Sequence, residues 1–315
     1  MAVLVIWSGP GGDGSGLVGE AMANDPETRV FINGTLYKVT FNDGDSFRVL
    51  SGAKKDVRAR LAGFNTLESH GPVHWWGTWH AKELYHLAKL ATLHARRGVW
   101  TCETDWNLDT YGRTLMTCPG LGEELIRLGY AHALSIDDEP AAANFLAAQK
   151  EAIAAKRGIW AHGVPPFVVT SIHTVEESRD GKPVYNRIVS TMDGHSAGWA
   201  HRDSYKECEM VCHLVYPIDN AMVATVTNAL RKDPRAQPFI AQLSDGALLS
   251  MVRDFAAYRH VNRSIPSVKR IEFKAILDTY VANGQFGKLA PAKSSCMVHV
   301  DYTRRYGNRK AACLR

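Results

Sequence analysis

The sequence predicts an α+β fold, in which a small five-stranded β-barrel with packed helices comes first and a smaller α+β region follows. Short segments of alternating apolar residues, separated by Asn-Gly and Asp-Gly turns, fill the start of the barrel. Longer stretches with helical periodicity come between and after them. We therefore expect a flexible glycine-rich arm over residues 1–27, the barrel over 28–163, and an α+β region of unknown fold over 164–315.

The strands of the predicted barrel begin with a run of hairpins. Asn33-Gly34 is a typical tight-turn pair, and Asp43-Gly44 supplies the next turn. In the last strand Ala59 and Leu61 share one face, so Arg60 points to the other face, away from the core. After a strand-like stretch at residues 29–32, the three consecutive strands of this run cover 35–41, 46–50 and 57–64.

A loop over residues 70–77 and an amphipathic helix over 78–95 follow these strands. Further strands are predicted at 99–103 and 113–117, and helices at 122–128 and 139–156. Five short strands with a helix between the third and fourth are the order of an OB-type barrel, whose face binds nucleic acids or sugars.

The C-terminal region contains mixed elements but no motif that assigns it a function. We predict strands at residues 167–172, 184–191 and 297–302, and helices at 220–231, 246–258 and 267–281.

The overall composition is that of a soluble globular protein, with 45% apolar and 22% charged residues. The net charge of +5 permits a polyanionic partner without requiring one. No apolar run is long enough to span a bilayer. The N-terminal apolar run has no basic segment before it, so it does not predict a signal peptide.

Two acidic patches lie on either side of a hairpin-sized segment that carries an arginine. The first is Asp43-Gly-Asp-Ser46, and the second ends the segment Arg60-Leu-Ala-Gly-Phe-Asn-Thr-Leu-Glu68. Together they offer oxygen ligands for a cation, a carboxylate to orient or deprotonate water, and a guanidinium for a phosphate. A calcium-assisted phosphodiesterase needs these groups.

Three further motifs follow in the chain: Asp109-Thr-Tyr-Gly-Arg-Thr-Leu115, Leu128-Gly-Tyr-Ala131 and Gly158-Ile-Trp160. In this order and spacing, the motifs from Asp43 to Trp160 resemble those of the thermonuclease family, that is, staphylococcal nuclease-like domains. The resemblance covers about residues 36–160.

The resemblance implies a Ca²⁺ site. Asp45 would bind the cation through its carboxylate and Thr66 through its main-chain carbonyl. The family's second metal carboxylate is replaced by Asn65, whose amide oxygen can ligate calcium but brings no charge. A turn-forming role for Asn65, bound to its own backbone, is the alternative.

The resemblance also implies catalytic roles for three side chains. Glu68 would organise or deprotonate the attacking water. Arg60 and Arg113 would hold the phosphate and stabilise the charge that develops on it, because the planar guanidinium meets two phosphate oxygens at once. Each of these groups has an ordinary alternative as a solvated surface residue.

Two further positions depart from the family pattern. Leu67 replaces the proline common before the glutamate. The tyrosines of the family's nucleotide pocket are replaced by Ser135 and Asp137, so base stacking must come from elsewhere. The candidates are Tyr130, Trp75 and Trp76.

The function implied is a Ca²⁺-dependent nuclease that hydrolyses DNA or RNA phosphodiesters by metal-assisted attack of water. The alternative is a catalytically weak or inactive nucleic-acid-binding module of the same family. A third possibility is that the C-terminal region is the main functional part, as an adaptor or cell-surface module that merely carries the barrel.

Six cysteines suit disulfides in an oxidising compartment, with free thiols as the alternative. Cys102 and Cys118 flank one turn and can form a cross-strand bridge. The other four, Cys208, Cys212, Cys296 and Cys313, can tie the ends of the C-terminal region together or, with His213 and His299, form a metal site. The pair His70 and His74 leaves a further zinc site open. The cysteines and the family resemblance favour a secreted or otherwise extracytoplasmic location.

Overall fold

The structure is a computed structural model that describes residues 28–136, 139–178, 180–287, 290–300 and 311–314. The predicted glycine-rich arm and Asp137 lie outside the described residues. The strands are β1 (Thr28–Ile32), β2 (Thr35–Asp43), β3 (Ser46–Val49), β4 (Arg58–Leu61), β5 (Phe64–Thr66), β6 (Val73–Trp76), β7 (Val99–Cys102), β8 (Thr114–Met116), β9 (Ala131–Ala133), β10 (Phe167–Ser171), β11 (Val184–Ser190), β12 (Ser196–His201), β13 (Met210–Val215) and β14 (Ala292–Val298). The α-helices are α1 (Ala81–Arg97), α2 (Pro119–Arg127), α3 (Ala143–Ala154), α4 (Asn220–Lys232), α5 (Gln237–Ile240), α6 (Asp245–Tyr258) and α7 (Arg270–Ala282).

The first sheet contains six strands in the order β7-β1-β2-β3-β4-β8. We predicted five, but β1 pairs in parallel with β7 as well as antiparallel with β2 and so counts as a strand of its own. Asn33 and Gly34 both have positive φ, as the predicted tight turn between β1 and β2 requires. The predicted α+β class is confirmed.

The two edges of this sheet meet, so the sheet is curled. Just beyond β7 and β8, Glu103 and Thr117 form an isolated bridge, and the neighbouring Cys102 and Cys118 form a disulfide. The inner face contributes Phe41 and Phe47 to the core of this part. Strands β5 and β9 and helices α1, α2 and α3 supply further core side chains, among them Phe64 of β5 and Phe145 of α3.

The predicted loop over residues 70–77 is wrong in part, because Val73–Trp76 forms strand β6. It pairs antiparallel with β14, in a sheet of order β13-β14-β6. Four residues are too few to show a strand period, and the glycine and proline before them indicate a loop. The strand exists because of a partner more than two hundred residues later in the chain.

The C-terminal region has a second antiparallel sheet, β10-β11-β12, and a helical core of its own around Phe255 and Phe273. Strand β14 begins five residues before the predicted strand at 297–302, whose last two positions lie outside the described residues. Strands β12 and β13 were not predicted. Val168 packs in one cluster with Trp76 and Trp160, so the two halves of the chain share a core.

All six cysteines are paired, as Cys102–Cys118, Cys208–Cys313 and Cys212–Cys296. The last two bridges join the ends of the C-terminal region, which was the disulfide alternative of the sequence analysis. Among the residues that the structure describes, no three His, Cys, Asp or Glu side chains are arranged to hold a metal ion. In the same part of the chain no helix is long and apolar enough to cross a membrane.

Removing the bridge that closes the curled sheet should destabilise the protein. Cys102 and Cys118 are 16 residues apart, and a cross-link that closes a loop of this length is worth about 3 kcal/mol. We expect the double variant Cys102→Ala/Cys118→Ala to lose free energy of unfolding of this order in urea titrations. An unchanged unfolding midpoint, with an unchanged slope, would contradict the role assigned to this bridge.

A buried histidine makes the C-terminal region sensitive to acid. His213 is 8% exposed, and its ring centre lies 5.3 Å from that of Phe167. Burial lowers the pKa of His213 from 6.5 to about 4. The unfolded chain therefore binds a proton at His213 below pH 6.5, whereas the folded protein does not until the pH approaches 4. As a result, the free energy of unfolding falls as the pH decreases from 6.5 to 4. The loss is on the order of 3 kcal/mol at its full extent.

The variant His213→Phe should abolish this loss. The measurement is the difference in melting temperature between the variant and the wild type. We expect this difference, variant minus wild type, to be larger at pH 4.5 than at pH 8. His86→Phe, at an exposed position of α1, is the matched control and should show no such difference. The same difference in both variants would show that His213 is not responsible.

Candidate active site

The turn between β2 and β3 packs directly against β5. A Cβ atom at Gly44 would lie 2.6 Å from Cγ2 of Thr66, so glycine is needed for this approach. The register places Ser46 opposite Arg60 on β4. The Asp43-Gly-Asp turn, β4 and β5 therefore meet at one end of the curled sheet.

Asp45 is the centre of this meeting point. Its side chain is 3% exposed and forms an ion pair with Arg60. Its second carboxylate oxygen accepts a hydrogen bond of 2.8 Å from the main-chain N–H of Thr66. The main-chain carbonyl of Asp45 accepts another, of 2.9 Å, from the N–H of Leu61. One carboxylate thus connects the turn with both following strands.

Asn65 points its amide oxygen at Arg60. Its Oδ1 accepts a hydrogen bond of 2.6 Å from Arg60 Nη2, and its Nδ2 donates one of 2.7 Å to the carbonyl of Thr66. The same Nδ2 lies 3.5 Å from Nε2 of His132. Nδ1 of His132 lies 3.0 Å from the carbonyl of Ala133, so Nδ1 carries the proton and Nε2 accepts. This acceptor stabilises the amide orientation in which Oδ1 faces Arg60.

Glu68 lies at the edge of the same group. Burial lowers the pKa of the Arg60 guanidinium, but nearby carboxylates outweigh burial and raise it. These carboxylates are Asp45, Asp43 and Glu68. The main-chain N–H of Glu68 donates a hydrogen bond of 3.2 Å to Nε2 of His74.

Asp43 is part of the cluster, although the sequence analysis assigned it no role. Its pKa lies well above the usual value, because of burial first and then the charges of Asp45 and Glu68. Ser46 Oγ donates a hydrogen bond of 2.5 Å to Asp43 and lowers the pKa in part. Asp45 thus forms the ion pair with Arg60, and Asp43 and Glu68 are close enough to act electrostatically on the same guanidinium.

Arg113 lies outside this cluster but on the same face of the sheet. β4 and β8 are parallel with Arg60 opposite Leu115, so Arg113, two residues earlier, is one strand away. This register separates the two arginine Cα atoms by about 8 Å, within reach of two long side chains. The Arg113 guanidinium is held by Asp109, with Nε 2.8 Å from Oδ2.

Residues 58–162 match the family model for the staphylococcal nuclease homologue. The chain therefore contains a staphylococcal nuclease homologue domain. The matched segment includes Arg60, Asn65, Glu68 and Arg113, whereas the Asp43-Gly-Asp turn precedes it. The resemblance stated from the sequence is confirmed. No curated protein matches the chain.

The oxygen donors of the nuclease homologue domain fit a hard divalent cation. The carboxylate of Asp45, the amide oxygen of Asn65 and the carbonyl of Thr66 lie within one hydrogen-bonded group, and calcium prefers such oxygen ligands. All three groups already accept hydrogen bonds: the Asp45 carboxylate from Arg60 and from the N–H of Thr66, the Asn65 oxygen from Arg60, and the Thr66 carbonyl from Asn65. Each has a second lone pair, so ligation does not require these bonds to break.

Burial excludes one of the three aromatic side chains predicted as candidates for base stacking. Trp76 is 0% exposed and cannot stack on a base, because its ring belongs to the shared core. Trp75 and Tyr130 are half-buried. Tyr111 is 68% exposed, and the Arg113 guanidinium lies 5.4 Å from the centre of its ring. The best exposed aromatic ring beside the site is therefore Tyr111.

Proposed function

We propose that this domain is a Ca²⁺-dependent nuclease that hydrolyses phosphodiester bonds of DNA or RNA by attack of water. The observation that carries the proposal is the buried Asp45–Arg60 ion pair, with Asp43 and Glu68 near enough to act electrostatically on Arg60 and with Arg113 on the same sheet face. The family match to a nuclease homologue supports it. The proposal takes the curled sheet as an OB-type barrel, within a nuclease domain of residues 28–163.

Calcium would be held by Asp45, Asn65 and Thr66, and when bound it supplies positive charge that polarises the phosphate and acidifies water. Glu68 accepts the proton from the attacking water.

Arg60 and Arg113 bind the non-bridging oxygens of the phosphate. Each guanidinium is oriented by a carboxylate, Arg60 by Asp45 and Arg113 by Asp109. Donors held in place before the substrate binds stabilise the developing charge without reorganising during the reaction. Tyr111 offers a ring on which a neighbouring base can stack.

The alternative function is a nucleic-acid-binding module with little or no turnover. The observation in its favour is Asn65, because an amide at a metal-ligand position lowers the negative charge that attracts calcium. The three disulfides suit an oxidising compartment, so we propose an extracytoplasmic location for either function.

The test is cleavage of plasmid DNA and of single-stranded RNA with calcium and with a chelator. We expect cleavage with calcium and none with the chelator. Binding of either nucleic acid that survives the chelator, without turnover at any calcium concentration, would decide for the alternative. Equal cleavage in both conditions would contradict calcium dependence.

The variant Asn65→Asp tests the metal site. A carboxylate adds a negative charge next to the cation, so we expect half-maximal activity at about tenfold lower calcium, equivalent to about 1.4 kcal/mol. Asn228→Asp, at an exposed position of α4, adds the same charge in the helical C-terminal part and serves as control. An unchanged or weaker calcium response of Asn65→Asp would show that residue 65 is not a ligand.

A further inference from the structure

The residues on both sides of Glu68 are buried and hold the segment in place. Leu67, immediately before it, is 1% exposed and packs in one cluster with Trp76 and Trp160. Ser69, immediately after it, is also 1% exposed, and its hydroxyl donates a hydrogen bond of 3.4 Å to the carbonyl of Asn42. The backbone at Glu68 therefore has little freedom to move.

His74 provides the direct contact to Glu68. Its Nε2 accepts the hydrogen bond of 3.2 Å from the main-chain N–H of Glu68, and its ring is 1% exposed. Burial lowers the pKa of His74 to about 3, so the ring is neutral at neutral pH and keeps the lone pair that accepts this bond. The ring packs edge-on against Trp76, with ring centres 6.2 Å apart.

The position of His74 depends on the C-terminal region. His74 lies on β6 opposite Met297 of β14, and its neighbour Trp75 lies opposite Cys296. Cys296 is bonded to Cys212 of β13, so the two other strands of this sheet are cross-linked. The hydroxyl of Ser295 on β14 also accepts a hydrogen bond of 3.0 Å from the N–H of Val169 on β10.

We propose that His74 is a positioning residue for Glu68. The β13–β14 pair holds His74 in place through β6 and in this way contributes to the active site. The chain of contacts runs from the Cys212–Cys296 bridge through β14 to β6, and from His74 to the backbone of Glu68.

The inference rests on the proposed function, in which Glu68 is the general base, and adds His74 as the residue that positions it. A general base must lie within hydrogen-bond reach of the water that it deprotonates, and a displacement of about 1 Å can cost about 10²-fold in rate. A main-chain hydrogen bond at the base itself is a direct way to prevent such a displacement. Leucine at position 74 fills the buried site with an apolar side chain but removes the hydrogen-bond acceptor.

The test compares His74→Leu with His74→Gln in the full-length chain, because the glutamine oxygen can take the place of Nε2 as acceptor. We expect His74→Leu to lower kcat about 10²-fold with KM within twofold of the wild type, and His74→Gln to recover most of the loss. Calcium affinity, measured by calorimetry, should stay within twofold in both, which separates Glu68 positioning from damage to the metal site.

Amide hydrogen exchange gives a readout independent of activity. In His74→Leu the amide of Glu68 should exchange at least tenfold faster, while amides of β2 and β3 keep their rates. Cys212→Ala/Cys296→Ala, which leaves β6 unchanged in sequence, should speed the same exchange even if His74→Leu does not fold.

Unchanged Glu68 exchange in the folded variants, or equal loss of kcat in His74→Leu and His74→Gln, would overturn the proposal. A wild type without nuclease activity would refute the proposed function alone, because the exchange measurement still decides whether His74 fastens Glu68.

Discussion

Replacing Glu68 by glutamine is expected to lower the rate of nucleic-acid cleavage by about 10²- to 10⁴-fold, the usual contribution of a general base. Glutamine has nearly the same shape but cannot take a proton from water. The main-chain hydrogen bond to His74 does not involve the side chain, so the segment should keep its place. The melting temperature should therefore change by no more than a few degrees.

Single-turnover cleavage at saturating calcium is the measurement that isolates this effect. Glu272→Gln, at an exposed position of α7, makes the same chemical change in the helical C-terminal part and should leave the rate unchanged. If Glu68→Gln cleaved as fast as this control, another group would have to be the base, and the proposed role of Glu68 would be wrong.

Arg60→Met is expected to affect stability as strongly as activity. The variant leaves the carboxylate of Asp45, 3% exposed, without its ion-pair partner. Removing one partner of a buried pair costs about 3–5 kcal/mol, since the other charge stays buried and unpaired. Loss of a phosphate-binding donor should also lower kcat by about 10²- to 10³-fold.

Two comparisons separate these effects. Arg60→Met/Asp45→Asn removes both charges and should cost less stability than Arg60→Met alone. Arg113→Met breaks a more exposed pair, 34% and 15% exposed, and should cost about 1 kcal/mol or less while losing similar activity. Chemical unfolding without calcium measures all three. A stability of Arg60→Met equal to that of the wild type would contradict the pairing with Asp45.

Calcium should partly rescue the stability of Arg60→Met. A bound cation replaces the missing positive charge beside Asp45, so the gain in melting temperature on adding calcium should be larger in the variant than in the wild type. A smaller gain would place the cation away from Asp45.

The hairpins of the first sheet follow from local sequence. Asn33-Gly34 selects a turn whose twist matches the strands on both sides, and the alternation in β4 directs Ala59 and Leu61 inward and Arg60 outward. These signals act over a few residues, so they can be read without knowing the rest of the chain.

The surroundings of the site could not be predicted from local sequence signals. His132 follows directly on the motif that ends at Ala131, yet nothing in its sequence neighbourhood indicates that it faces the amide of Asn65. Trp76 was expected at the surface because of the loop-like segment around it, but β6 turns it into the shared core. Both outcomes depend on contacts between segments far apart in the chain.

The sequence by itself determined which side chains we propose for the chemistry, from Asp45 and Arg60 to Glu68 and Arg113, because short motifs encode residue type and spacing directly. The tertiary structure alone decided that β6 pairs with β14, that the cysteines of the C-terminal region form bridges, and that His74 reaches the backbone of Glu68. The physical reason is that strand pairing and burial depend on the whole folded chain, whereas a turn depends only on its own few residues.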